Sequence, residues 1–512
     1  MTAGSLTRAT RRHPAAVFLP LQAILCFWNL GLLSPWMDEA WSLRVARLAL
    51  PSLIRAAAAD IHPPGYYLLL FVWQRLPLGL DPAVQARALS VIFLLAAGAA
   101  ADHLWASRLP ERARLCFLAV WTLSPCLLLY GRMCRSYSLQ VLVVVVAAAC
   151  LVRFCETPRP GTLAALAAAV SAALYIHYVP GLAMLATANL ALLRRRRLRD
   201  TAVMDGLIAL AYLPWIWTLA RFHAWSSRGD VYALTGVGWL EVPVKLAYWA
   251  MSFVGGEALP DWAVVACFLV IPLLVWLPIW LPGGPGGARS YPARLALPIV
   301  LPLSVIGFIG VARWVSYPFI PARMLFVFPF FLLLVASGAA AHRHAGTVAA
   351  AAMLTLSVTG IWCYFHKTGF RNKQYPMPMA EIAARISLES TATDSVTLVD
   401  STNSDPAALA FALGPSRPVL QTGAPETEPE MVRRMADLHV RTVWFLRNTH
   451  DVSAAGLNRR FEALLQRDML QRDMRPAIHP YEPFSPLETW MMGRLGMANP
   501  PSYFQELLEF RR

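Results

Sequence analysis

Apolar residues run in near-continuous blocks over the first two thirds of this chain and break up after about residue 365. The blocks fall at 15–33, 88–107, 115–130, 137–152, 161–176, 179–193, 203–220, 262–281, 295–312, 324–341 and 346–364. Each is roughly 15 to 20 residues long, the length that crosses a bilayer as a helix, and together they predict about 11 transmembrane helices. A soluble fold of this size shows short amphipathic segments instead. The stretch YYLLLFVW at 66–73 is too short to span and is cut off by Gln74-Arg75, so it is expected to lie at the interface. Beyond His366 the pattern changes to short β-type runs, SVTLVD (395–400), RPVLQ (417–421) and RTVWFL (441–446). Helical segments are predicted between them at 405–413, 428–438 and 458–470. The expected fold is therefore an α-helical polytopic membrane protein with a small C-terminal α/β domain. Residues 1–365 form the membrane part, with a first external loop at 34–87, and residues 366–512 form the appended domain.

Composition supports this reading. Hydrophobic residues make up 57% of the chain and charged residues only 15%, against about 25% in an ordinary soluble domain. The net charge of +15 comes largely from arginines between apolar blocks, where they determine topology. No nucleic-acid motif accompanies them, and nucleic acid is excluded as a partner. With a cytoplasmic N-terminus the short inner loops are 108–114, 153–160, 194–200, 282–294 and 342–344, and the Arg194–Arg197 cluster lies inside as the positive-inside rule requires. That orientation predicts a multi-pass inner-membrane protein whose C-terminal domain is extracytoplasmic. The run from Ala15 to Leu33 lacks a small-residue cleavage site and is expected to be retained. The eight cysteines lie in or beside apolar blocks, in neither a disulfide nor a zinc pattern.

Candidate chemistry concentrates in a few polar interruptions. WMDEAW sets Asp38 and Glu39 among Trp36, Met37 and Trp41 just after the first span. Desolvation there makes a carboxylate a better proton acceptor. DIHPPGYY (60–67) has Asp60, His62 and a Pro-Pro turn that fixes the backbone, then Tyr66 and Tyr67, a surface suited to stacking and bonding a sugar. In SPCLLLYGRMCRSYSLQ (124–140), Arg132 and Arg135 stand at the outer end of a span beside Tyr130 and Tyr137. Cations at the external headgroup level run against the positive-inside trend, and binding a lipid phosphate accounts for them. His177-Tyr178 sits at a helical hairpin closed by Pro180-Gly181, and Arg323 stands at the mouth of a late span. Each feature has an ordinary alternative as an interfacial anchor or turn residue. All of them fall on one face of the membrane in a topology set by loop charge, which argues for a single external site.

These motifs, in this order, make residues 15–340 resemble the GT-C superfamily of glycosyltransferases. The likeness is to its family 39 and protein O-mannosyltransferase-like branch, which includes the lipid A aminoarabinose transferases. The matching elements are Asp38-Glu39, His62-Pro63-Pro64-Gly65-Tyr66-Tyr67, the set Tyr130, Arg135, Tyr137, Ser138 and Leu139, the pair His177-Tyr178, and Arg323 with Pro329. The resemblance implies a polyprenyl-phosphate-linked sugar donor, an acceptor that is a glycan, lipid or protein, and inversion at the anomeric carbon. It implies Asp38 as base, Glu39 orienting it, and Arg135 and Arg323 holding the phosphate. Tyr66, Tyr67 and Tyr137 would line the sugar pocket, with Asp60, His62, Arg132 and His177 also on the substrate. Many relatives carry a Glu two residues before the Arg of the third element; Met133 stands there in this chain. No metal ligand or cofactor is therefore assigned, a divalent cation is left open, and His62 or Asp60 are the substitutes at hand. Secondary transport and an inactive assembly role on the same scaffold are the competing classes. The absence of a repeat among the spans and the scarcity of intramembrane charges count against transport.

Overall fold

The computed structural model describes residues 14–279 except 61 and 223–240, residues 320–399 except 373–374, and residues 406–417, 419–421, 441–448, 475–480 and 505–511. The chain divides into two compact units. One comprises Met1–Gly31 and Ser42–Arg371; the other comprises Leu32–Trp41 and Asn372–Arg512.

The first unit is helical. Its helices are α1 (Ala15–Phe27), then α2 (Met37–Arg47), whose first turn belongs to the other unit, α3 (Leu50–Ala59), α4 (Gly65–Trp73), α5 (Pro82–Leu104), α6 (Glu111–Leu123) and α7 (Pro125–Gly131). They continue with α8 (Tyr137–Glu156), α9 (Pro160–Ile176), α10 (Tyr178–Arg194), α11 (Leu198–Phe222), α12 (Glu241–Gly255) and α13 (Asp261–Ile279). A 3-10 turn, Pro321–Val327, leads into α14 (Phe328–Ala341), and α15 (Arg343–Phe365) follows. Among the described residues five of these helical segments are long and apolar enough to cross a membrane, and α6 with α7 forms a sixth, bent by 48°. The bend is set where Ser124 caps α7 by accepting from the Leu127 N–H and Pro125 occupies its first turn. Long α5 begins the same way, with Asp81 accepting from the N–H groups of Ala83 at 2.9 Å and Val84 at 3.1 Å. The chain is a polytopic membrane protein, and α11 shows the lipid-facing composition clearly, with Leu207, Leu210, Leu213 and Trp217 exposed.

Helices occupy ten of the predicted span positions; the eleventh, at 295–312, lies outside the described residues. Two differences stand out. The stretch 34–87, expected as a polar loop, is mostly the three short helices α2, α3 and α4. The apolar content of 66–73 forms nine-residue α4, too short to span. Helix α12 is missing from the predicted set because Glu241, Lys245 and Ser252 interrupt its apolar run.

Several polar groups inside the helical unit pair with one another, as a water-poor surrounding favours. Trp121 donates its indole N–H to Gln22 at 3.1 Å. Arg114 forks onto Asp102, Nε to Oδ1 at 2.8 Å and Nη2 to Oδ2 at 2.6 Å, tying α6 to α5.

The second unit holds a five-stranded sheet in the order β2-β1-β3-β5-β4, where β1 is Ser395–Val399, β2 Val419–Gln421, β3 Thr442–Asn448, β4 Arg475–Pro480 and β5 Gln505–Arg511. Strand β1 is parallel to β2 and β3, pairing Thr397 with both Val419 and Trp444, and is buried at every position. Strand β5 runs antiparallel between β3 and β4. Helices α16 (Met379–Glu389) and α17 (Pro406–Leu413) pack their Ile382, Ile386 and Leu409 against Val399, Trp444 and Leu446. Ala40 joins this core, and Trp36 meets Tyr375 edge-on at 5.1 Å. Leu32–Trp41, expected as part of the membrane portion's first loop, thus packs with the sheet unit. The predicted helix at 405–413 and strands at 395–400, 417–421 and 441–446 correspond to α17, β1, β2 and β3; those at 428–438 and 458–470 lie outside the described residues. The pattern gave no sign of β4 or β5, because RPAIHP and QELLEFR carry too much charge and proline to read as strands.

Arg114→Ala leaves Asp102, 5% exposed, as a buried carboxylate without its fork. The expected loss is about 2 kcal/mol, less than for a fully buried pair because Arg114 is partly solvated. A lower midpoint of thermal unfolding in detergent measures it, and adding Asp102→Asn recovers part of the loss.

Candidate functional site

The site grows from one buried guanidinium. Arg135 leaves the turn between α7 and α8, is 5% exposed, and therefore must find acceptors inside the protein. Its Nη1 donates to Ser42 Oγ of α2 at 3.1 Å and to Tyr67 Oη of α4 at 3.3 Å. Its Nη2 lies 3.2 Å from His62 Nε2. Because the guanidinium only donates, Nε2 is the acceptor and the His62 proton is on Nδ1. That proton points to Asp60 Oδ2, 3.1 Å away. Asp60, His62 and Arg135 thus form one polarised chain, which brings a carboxylate to the Arg135 side chain although Met133 occupies the position a relative's Glu would take.

A second imidazole completes the cluster. The His177 ring lies 5.7 Å from the His62 ring, edge-on. It caps α10, its Nδ1 accepting the Val179 N–H at 3.2 Å, a role only the unprotonated nitrogen can play. Burial first, then the electrostatic influence of His62, Arg323 and Arg135, holds its pKa well below the usual 6.5. Arg323 enters from the 3-10 turn before α14, and its buried Nη1 has no hydrogen-bond partner among the described residues. Two guanidinium groups from distant parts of the chain therefore act on one neutral imidazole. An arrangement of this kind binds an anion with several oxygen acceptors.

Gly65 lets the Pro-Pro turn approach the His177 hairpin. A side chain there would begin 2.6 Å from the Tyr175 carbonyl oxygen. Pro63 and Pro64 are buried beneath it, and Tyr66 spans to Ser90 Oγ at 3.1 Å.

The predicted residues separate into groups. Asp60, His62, Tyr67, Arg135, His177 and Arg323 come together, with Tyr66 alongside. Tyr137 turns instead to Tyr130, ring centres 5.6 Å apart. Arg132, expected to share the phosphate with Arg135, has partners of its own: it donates to the Asn29 carbonyl and lies against Tyr364 and Phe365. Asp38 and Glu39 stand in the first turn of α2 with the second unit, Asp38 half-buried and Glu39 1% exposed. Ser42 follows Asp38 by one helical turn on the same helix face. Among the described residues no three His, Cys, Asp or Glu side chains converge as metal ligands.

Sequence reasoning missed Ser42, Ser90 and a second polar hub at Glu257. Glu257 accepts from Tyr130 Oη, from Tyr248 Oη at 2.8 Å and from Ser252 Oγ at 3.3 Å, and burial pushes its carboxyl well above the usual range. The signal available was an isolated acid after Gly255-Gly256 between two apolar runs.

No family model matches this sequence, and no curated protein sequence matches it. Solved structures do. ArnT from Cupriavidus metallidurans in the apo state superposes with a TM-score of 0.51 at 14% identity, over 96% of this chain and 97% of that one. The same protein bound to undecaprenyl phosphate gives 0.56, again at 14% identity and 96% and 97% coverage. The chain has the fold of the GT-C glycosyltransferases, as its motifs implied.

An unfolded His177 takes up a proton below about pH 6.5, whereas the folded residue does not, so this residue costs stability as pH falls from that value. His177→Asn keeps a capping oxygen without a titrating group. Unfolding midpoints measured at pH 7.5 and 5.0 should therefore fall further for the wild type than for this variant; equal falls would show that His177 does not contribute.

Proposed function

On this GT-C fold, we propose that the protein transfers a sugar from a polyprenyl-phosphate carrier to an acceptor hydroxyl at the extracytoplasmic face of the inner membrane. The observation that carries the proposal is the cluster of Arg135, His62 and His177, with the buried Arg323 Nη1 close enough to act on His177, a set suited to the phosphate of such a donor. The ArnT structure of the same fold, solved with undecaprenyl phosphate, supports the choice of carrier. The arginine-rich short loops support the orientation, with the N-terminus cytoplasmic and the sheet domain outside.

In this reaction an acceptor hydroxyl gives its proton to Asp38. Its oxygen attacks the anomeric carbon from the face opposite the phosphate, so the configuration inverts. The carbon–oxygen bond to the lipid phosphate breaks, and the electron pair leaves with the phosphate. The phosphate gains one negative charge as the bond parts, and Arg135 and Arg323 offset it. Asp60 and His62 position Arg135 by fixing its acceptor. Tyr66 and Tyr67 border the sugar, and Glu39 orients Asp38. The family 39-like branch, rather than another GT-C branch, rests on the motif order from Asp38-Glu39 to Arg323.

Purified protein incubated with labelled polyprenyl-phospho-sugars tests the proposal; absence of transfer to any glycan, lipid or protein acceptor overturns it. Asp38→Asn is expected to lose about 10²–10⁴-fold in turnover while inserting and folding normally, the share a general base supplies. Wild-type turnover in that variant removes Asp38 from the reaction. Arg135→Ala is expected to raise KM for the carrier more than for the acceptor, and equal effects on both count against a phosphate contact.

A further inference from the structure

Three residues before Arg135, a second guanidinium is buried in different company. Arg132 forms the C-cap of α7 and is 2% exposed. Its Nη2 donates to the Asn29 carbonyl, while Nε and Nη1, both buried, have no hydrogen-bond partner among the described residues. The rings of Tyr364 and Phe365 lie 5.0 Å and 5.3 Å from the guanidinium carbon. They attract the charge through their π faces but offer those N–H groups no strong acceptor. Its other electrostatic neighbours among the described residues are the Cys26 thiol and a further cation, Arg87. Arg87 is 3% exposed and donates its Nη1 to the Leu30 carbonyl at 3.2 Å. Two buried guanidinium groups therefore rest on consecutive carbonyls at the end of α1, where the chain turns through Asn29 in the left-handed region at φ 46°.

A guanidinium stays charged at any pH a protein survives, so Arg132 cannot relieve its burial by losing a proton. Buried N–H groups left unbonded, with a like charge nearby, are unfavourable by the desolvation of each group plus the repulsion. An anion with several oxygen acceptors removes both penalties at once, and phosphate matches the planar donors of arginine best. The outer side of the same segment is apolar and open: Ile24 is 62%, Phe27 42% and Trp28 68% exposed. A phosphate carried on a lipid can reach the end of α1 from the bilayer along these side chains. We propose that Arg132 and Arg87 form a second phosphate-binding site at the end of α1, separate from the one around Arg135. This inference does not rest on the transferase reading, and an inactive protein would leave it standing.

The test uses the full-length protein in detergent with Arg135→Ala as the background, so that the first site is silenced. Phosphatidic acid and phosphatidylcholine are compared by native mass spectrometry, and inorganic phosphate by thermal shift. The background variant is expected to bind phosphatidic acid in preference to phosphatidylcholine. Adding Arg132→Gln is expected to weaken phosphatidic acid at least about tenfold, as loss of a charged hydrogen bond does. A thermal shift by inorganic phosphate that disappears with Arg132→Gln shows that the free anion suffices; a shift with phosphatidic acid alone assigns the site to lipid. Unchanged affinity in Arg132→Gln, or equal binding of phosphatidylcholine in the background, overturns the proposal. Should Arg132→Gln fail to fold, Arg87→Gln carries the same comparison, and unchanged binding in that variant overturns it equally.

Discussion

A charged group that cannot shed its proton, placed where water is scarce, organises the helical unit. Arg135 is such a group, and its fork reaches Ser42, Tyr67 and His62, so α2, the Pro-Pro turn and α4 are bound to the turn between α7 and α8. Asp60 extends the chain by one more bond and sets the His62 proton. His177 and Arg323 then add a neutral imidazole and a second cation. Two guanidinium groups gathered beside a neutral imidazole suit an anionic ligand that offers several oxygen acceptors.

Much of this was legible in the sequence. Apolar blocks of bilayer length identified the helices because a membrane leaves few other ways to satisfy a backbone. The polar residues that break those blocks, from Asp60 to Arg323, were the ones the fold gathers. What could not be read was which of them meet. Arg132 and Arg135 are three residues apart in one motif and looked equivalent. They diverge because α7 ends at Gly131, so the intervening turn sends the two side chains to different partners. Ser42 and Ser90 escaped notice since a serine inside a helix carries no pattern of its own. Glu257 was hidden for a related reason: its partners Tyr130 and Tyr248 come from other helices, and only tertiary packing joins them.

The sheet unit was harder to foresee at its edges than at its centre. Strand β1 is rich in β-branched residues, Val396, Thr397 and Val399, and is buried throughout, as a strand with parallel neighbours on both sides is. β4 and β5 belong to the antiparallel side, where charged residues such as Glu506 and Glu509 break the run. The recruitment of Leu32–Trp41 into this unit had no sequence signal either, because Trp36 and Ala40 would serve equally well at a membrane surface. Their partners, Tyr375 and the α16 side chains, lie more than 300 positions downstream.

The turn at Pro63 and Pro64 has a consequence for how tightly a ligand is held. Two rings that already fix their own backbone torsions leave the unfolded chain little freedom to lose there, and Gly65 lets the turn seat directly on the hairpin beneath it. The disorder that a flexible binding loop would surrender on meeting its ligand is here surrendered during folding. A ligand would encounter a rigid wall, and more of each new contact would appear as affinity.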